Sequence, residues 1–199
     1  HNRVRRQRQM CIRDRYRVSG LEVFGVEMDK RAADLCKRNI DLNMFKAKIC
    51  NINIANTIRE LKSVSFDHVF MNPPYFKQNS VKESRILSSY QARVESMPLS
   101  AWISVAKNRC KPNGKITIIQ RVERLPDILK CLDGYFGQVT VQPISSFKDT
   151  SPKTVIVQAT KTSGAAFKLL APKIVHRRDG ISGKAVSYTH LTLPTNTVV

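Results

Sequence analysis

The sequence predicts an α/β fold with a mostly parallel sheet and an antiparallel hairpin at one edge, and three observations predict it. From Val18 onward, short runs rich in β-branched and aromatic residues alternate with stretches of helical period. The run Phe66 to Met71 is too continuously apolar for a half-exposed strand and suits a strand buried on both faces. The last two such runs, Gly137 to Ile144 and Thr154 to Thr160, follow one another with only a polar link between them, as a hairpin does.

In order along the chain, Leu21 to Glu27 reads as a strand that ends on an acid. Asp29 is placed to cap a helix with apolar positions Ala32, Leu35, Cys36 and Ile40. Lys46 to Cys50 is a short strand, followed by Asn51 and Asn53, and Ile54 to Leu61 is expected as a brief helix. Phe66 to Met71 runs into Asn72-Pro73-Pro74-Tyr75. Residues 76–97 are polar and basic without a sustained period, which predicts a long loop of the functional kind. Leu99, Trp102, Ile103, Ala106 and Cys110 form a helical stripe, which Pro112-Asn113-Gly114 is expected to stop before a strand over Lys115 to Gln120. Pro126 opens another helix, with Leu125, Ile128, Leu129 and Leu132 on one side.

A length of 199 residues fits one domain with a single core. Hydrophobic residues make up 42% and charged residues 25%, ordinary for a globular chain. No apolar run approaches the ~20 residues that span a bilayer, so no membrane role is predicted. Five scattered cysteines without a C-x-x-C pair argue against a zinc site or a disulfide framework, and a reducing cytoplasm is the default. The net charge is +19; residues 1–17 hold seven arginines against one aspartate, and residues 185–199 hold no charged side chain, which leaves +13 on residues 18–184. That excess favours a polyanionic partner.

Both ends differ from the body. QMCIRDRY near the start and VSYTHLTLPTN near the end resemble translated sequencing-adapter read-through. Residues 1–17 and 185–199 are therefore expected to be non-native, with one domain over 18–184.

Glu27, the Asn51 and Asn53 pair and Asn72 all fall at carboxyl ends of successive expected strands, where ligands bind in such sheets. Glu27 is placed to accept hydrogen bonds from ribose hydroxyls, or to cap the following helix. At Asn72-Pro73-Pro74-Tyr75 the chemistry is more specific. An exocyclic amine on a base is a poor nucleophile because its lone pair is delocalised. The Asn72 side-chain oxygen and the Pro73 carbonyl can each accept one of its hydrogens, and Tyr75 offers a ring for the base, a stack worth about 1–3 kcal/mol. Proline fixes φ and carries no N–H to compete. Such a site works by positioning and hydrogen bonding, without a general base.

These residues resemble those of class I S-adenosylmethionine-dependent methyltransferases. From about Val18 to Gly180 the chain is more closely similar to the tRNA1(Val) N6-adenine methyltransferase family, on GVEMDKRAADLCKRNIDLN, FDHVFMNPPYF and LSAWISVAKNRCKPNGKITIIQRVERL. KTVIVQATK and FKLLAPKIVHRRDG resemble its last strand and C-terminal segment. The resemblance implies a Rossmann-like sheet, S-adenosyl-L-methionine as cofactor, and a tRNA partner methylated at an adenine beside the anticodon. It places Glu27, with its neighbour Met28, on the cofactor ribose, and Asn72 to Tyr75 on the target amine, with Asn72 also beside the cofactor. Asn53 stands where the family has an aspartate against the cofactor adenine. The family's first strand and glycine-rich loop belong before Val18; residues 1–17 contain no glycine, so both are expected to be missing.

Four rivals share the motif or the charge. Enzymes acting on the glutamine amide of release factors or on the N2 amine of guanine in ribosomal RNA use the same chemistry, and the basic middle favours RNA. A DNA adenine enzyme normally needs a base-flipping recognition domain, for which there is little room. A catalytically inactive fragment would bind RNA through Lys77, Lys82, Arg85 and Arg93. A monomer is expected. His68 and Trp102 are read as packing residues, and His176 and His190 as without a role in the site.

Overall fold

A computed structural model of the chain describes residues 22–44, 46–56, 63–74 and 97–176. Strand β1 (Val23–Val26) leads into helix α1 (Lys30–Leu42) and strand β2 (Ala47–Cys50), followed by one 3₁₀ turn, Ile54–Asn56. Strand β3 (Phe66–Met71) is followed by α2 (Leu99–Arg109), β4 (Cys110–Arg121), a 3₁₀ turn and α3 (Leu125–Leu132). Strands β5 (Phe136–Ser145) and β6 (Thr154–Lys161) make the hairpin, and the short β7 (Lys168–Leu169) and β8 (Lys173–Ile174) complete the order.

Local chemistry accounts for the boundaries. Asp29 is the N-cap of α1, its carboxylate accepting the Ala32 N–H at 3.0 Å. The face of α1 turned inward is led by Ala33 and Ile40, with Ala32, Leu35 and Cys36 half-buried. Pro126 lies in the first turn of α3, where its missing N–H costs nothing. Lys107 and Arg109 occupy the last turn of α2. The Lys161 ammonium donates to the Lys107 carbonyl at 2.6 Å and that of Cys110 at 2.7 Å, satisfying the open end of that helix.

Among the described residues the strands form two ladders. Strands β1 and β2 pair in parallel, Val23 opposite Ala47. A six-stranded sheet follows the order β3-β4-β6-β5-β7, with β8 also on β5. Strands β3 and β4 are parallel, and β6 runs antiparallel to both β4 and β5. The expected hairpin is thus present, and its second strand is the inner one. The two ladders touch at a tilted contact of the Phe24 and Phe66 rings, 5.6 Å between centroids, and the 3₁₀ turn after β2 packs against α2.

Pro112-Asn113-Gly114 does not separate α2 from the next strand, as the sequence suggested. The helix ends at Arg109, and β4 starts at once with Cys110 opposite Phe66; the register then jumps to Lys115 opposite His68. Pro112 has no N–H for the ladder, so the strand bulges out over Lys111 to Gly114. Lys111 reaches back to Asp67 at 2.9 Å. A Cβ on Gly114 would come within 2.7 Å of the Cys110 sulfur and 3.0 Å of the Asp67 carbonyl oxygen, so glycine is required there.

The core lies on one face of the larger sheet. Val69, Met71, Ile116, Ile118, Val141, Val155, Val157 and Ala159 meet Leu99, Ile103 and Ala106 of α2 and Ile128 and Leu132 of α3. Trp102 is half-buried against the same cluster, which bears out the packing reading. On the other face His68 is fully buried, its Nε2 at 2.7 Å from the Thr117 hydroxyl and its ring stacked on Phe70 at 4.7 Å.

Burial, helped by the nearby Lys115 charge, lowers the His68 pKa from 6.5 to about 4. The unfolded chain takes up this proton near 6.5 and the folded chain only near 4. Stability therefore rises with pH across that window. Acidifying from 6.5 to about 4 is expected to remove up to about 3 kcal/mol, measured as urea midpoints against pH. His68→Gln should flatten this dependence; an unchanged slope would assign it to other groups.

Candidate functional site

The structure gathers the site residues that it describes into two clusters. In the first, Glu27 follows β1 and is half-buried. Its backbone N–H donates to the Cys50 carbonyl at 3.1 Å, extending the β1–β2 ladder by one bond. Its Oε1 accepts the Asp29 N–H at 3.0 Å, so one carboxylate oxygen supports the turn into α1 while Oε2 has no partner among the described residues. Both readings of this acid are therefore compatible with the geometry. Met28 beside it is 61% exposed.

Asn51 is what fixes this turn. Its side-chain N–H groups donate to the Glu27 carbonyl at 2.8 Å and the Met28 carbonyl at 3.0 Å. Asn53 follows, with its Nδ2 3.4 Å from the Met28 sulfur. The sequence singled out Asn51 only as one of a pair, and the structure gives it a distinct task.

The second cluster begins where β3 ends. Two consecutive prolines push the residue before each toward extended backbone, so the chain leaves the strand without turning back into a helix. Asn72 is exposed and its side chain makes no hydrogen bond to another described residue; Pro73 is fully buried and Pro74 half-buried. Tyr75 and the basic residues Lys77, Lys82, Arg85 and Arg93 lie outside the described residues, as do Arg177 and Arg178.

Sequence reasoning missed Gln120. It is fully buried at the end of β4 and donates from Nε2 to the Pro73 carbonyl at 3.3 Å and the Pro74 carbonyl at 3.1 Å. Its own Oε1 accepts the Arg121 N–H at 2.9 Å. The signal was available: an amide closes the run Ile116 to Ile119, which is apolar except for Thr117.

No general base stands next to this segment along the neighbouring strand. The first carboxylate after Gln120, Glu123, is held by two bonds from Arg121 at 2.9 and 3.1 Å, and that pairing lowers its pKa to about 2. Burial raises the Cys110 thiol to about 11, so it stays protonated at neutral pH.

A family model described as N-6 DNA Methylase matches residues 6–125. The chain belongs to that family. Among curated relatives, it is 24% identical over 131 residues to the tRNA1(Val) (adenine(37)-N6)-methyltransferase of Shewanella sediminis, covering 61% of this chain and 53% of that protein. It is 26% identical over 121 residues to the protein of the same name from Shewanella halifaxensis, covering 59% of this chain and 48% of that one. The chain thus spans about half the length of these curated relatives. A solved structure described as a predicted O-methyltransferase from Agrobacterium tumefaciens superposes with a TM-score of 0.61 at 17% identity, over 81% of this chain and 83% of that one. The likeness shows that the chain shares that protein's fold, a Rossmann-like α/β sheet.

Proposed function

We propose that the chain is an S-adenosyl-L-methionine-dependent N6-adenine methyltransferase acting on tRNA. The observation that carries this reading is Asn72, exposed with an unengaged amide at the carboxyl end of a buried parallel strand and followed by two prolines anchored from the next strand. Its oxygen and the free lone pair of the Pro73 carbonyl accept the two hydrogens of the amine, drawing the nitrogen toward a tetrahedral shape with its lone pair directed outward. The cofactor supplies an electrophilic methyl group on a sulfonium. The nitrogen loses its proton once it has become cationic, so the chemistry needs no general base beside Asn72.

The residues present fit the adenosine part of the cofactor. Glu27 keeps one carboxylate oxygen for ribose hydroxyls, the exposed Met28 offers an apolar surface, and Asn53 brings an amide to the same strand ends. The relatives named for tRNA support RNA over a protein amide, and so does the +13 net charge of residues 18–184. The chain is expected to act as a monomer in the cytoplasm. Lys77, Lys82, Arg85 and Arg93 are assigned to RNA contact.

Titration with S-adenosylmethionine tests this reading against an inactive RNA-binding fragment. A dissociation constant in the micromolar range is expected, and no binding at millimolar cofactor would overturn the reading. Asn51→Ala should weaken that affinity about tenfold, because two hydrogen bonds that fix the Glu27 and Met28 carbonyls are lost. An unchanged constant would show that the turn holds itself.

A further inference from the structure

We infer that Gln120 is the positioning residue of the acceptor segment, its side-chain amide fixing the Pro73 and Pro74 carbonyls from the neighbouring strand; this rests on the methyl-transfer reading above. Register places it there. Met71 faces Ile118 in the parallel ladder of β3 and β4, so two residues further on Pro73 comes opposite Gln120. At that point β3 has stopped being a strand, and the proline rings leave the ladder without main-chain donors. A side chain from β4 takes over the pairing.

The amide is fully committed. The Arg121 N–H can bond only to Oε1, which fixes which end of the amide is oxygen and points Nε2 at the two carbonyls. With two N–H groups and two acceptors, each hydrogen has a place. Gln120 and Pro73 are both fully buried, so water does not replace the bond between them, while the bond to the half-buried Pro74 is partly open to solvent.

An amide is otherwise a poor choice for this position. The preceding residues Ile116 and Ile118, on the same face of β4, are apolar and fully buried, and a methionine would fill the Gln120 space without a polar group to satisfy. What glutamine adds is orientation of two successive peptide planes. The Pro73 oxygen keeps a second lone pair for the incoming amine, at a place set by a rigid strand rather than by a loop. Misplacement of a reacting partner by about 1 Å costs on the order of a hundredfold in rate. Gln120 touches no reacting atom in this scheme and acts through Pro73.

Gln120→Met keeps length and volume and removes the donor; Gln120→Glu keeps the acceptor for the Arg121 N–H and loses the donor when ionised. For both, kcat for methyl transfer is expected to fall roughly ten- to a hundredfold with the cofactor KM unchanged. In carbon-13 spectra of the labelled chain, the Pro73 and Pro74 carbonyl resonances should move upfield on Gln120→Met. Wild-type turnover in Gln120→Met would reduce the residue to space filling and overturn the inference, as would unmoved carbonyl resonances. If the wild-type chain moves no methyl group, the proposed function falls, and the spectra then decide Gln120 alone: shifted Pro73 and Pro74 carbonyls uphold its hold on the segment, and unmoved ones refute it.

Discussion

Asn72→Ala is expected to lower methyl transfer by roughly a hundred- to a thousandfold, the loss typical of removing one preorganised polar group that acts on the reacting atoms. The side chain is exposed and bonds to no other described residue, so its removal leaves the packing of β3 intact. The melting temperature and the cofactor dissociation constant should therefore stay close to wild type. This combination is what separates a residue acting on the amine from one that shapes the fold. Asn72→Asp keeps an acceptor oxygen but adds a charge beside the methyl donor, and should retain more activity than the alanine variant. Near-normal turnover of Asn72→Ala, measured as labelled methyl incorporated into RNA, would remove the central assignment.

The largest effect on stability is expected at Ile118. This side chain is fully buried, opposite Met71 on one neighbouring strand and Val157 on the other, in the middle of the sheet that carries the acceptor segment. Ile118→Ala removes buried methyl and methylene groups and leaves a cavity that strands on both sides prevent from closing. A loss of about 2–5 kcal/mol follows, read as a lower urea midpoint with an unchanged slope. Leu170→Ala on the exposed C-terminal segment serves as the control and should change stability by less than about 0.5 kcal/mol. Leu170 is 42% exposed. A loss at Ile118 as small as the control's would show that the sheet repacks.

Much of the fold could be read from residue pattern because the signals were local. Phe66 to Met71 was bounded as the structure bounds it, since an apolar run ending in two prolines leaves little choice. Asp29 was identifiable as a cap from its place before an amphipathic run. Pro112 and Gly114 misled, because a proline–glycine pair marks a turn and a bulge alike, and only the register with β3 shows which it is. The β7 and β8 strands left no period, being two residues each and exposed; they are set by Gln142, which donates to the Ala171 carbonyl at 2.7 Å, and by main-chain bonds to β5. At the site, Glu27, Met28, Asn53 and Asn72 were chosen from residue type at strand ends. Gln120 was not, because its task depends on a neighbour 47 positions earlier in the chain.

The most direct test of the account is the identity of the methylated nucleoside. The chain is incubated with methyl-labelled S-adenosylmethionine and bulk tRNA, and the RNA is digested and resolved by mass spectrometry, with duplex DNA and a release factor in parallel reactions. The expected result is label in N6-methyladenosine from tRNA, lost on Asn72→Ala. Label in N2-methylguanosine, in DNA alone or in a protein glutamine, or no transfer despite bound cofactor, would contradict the proposal.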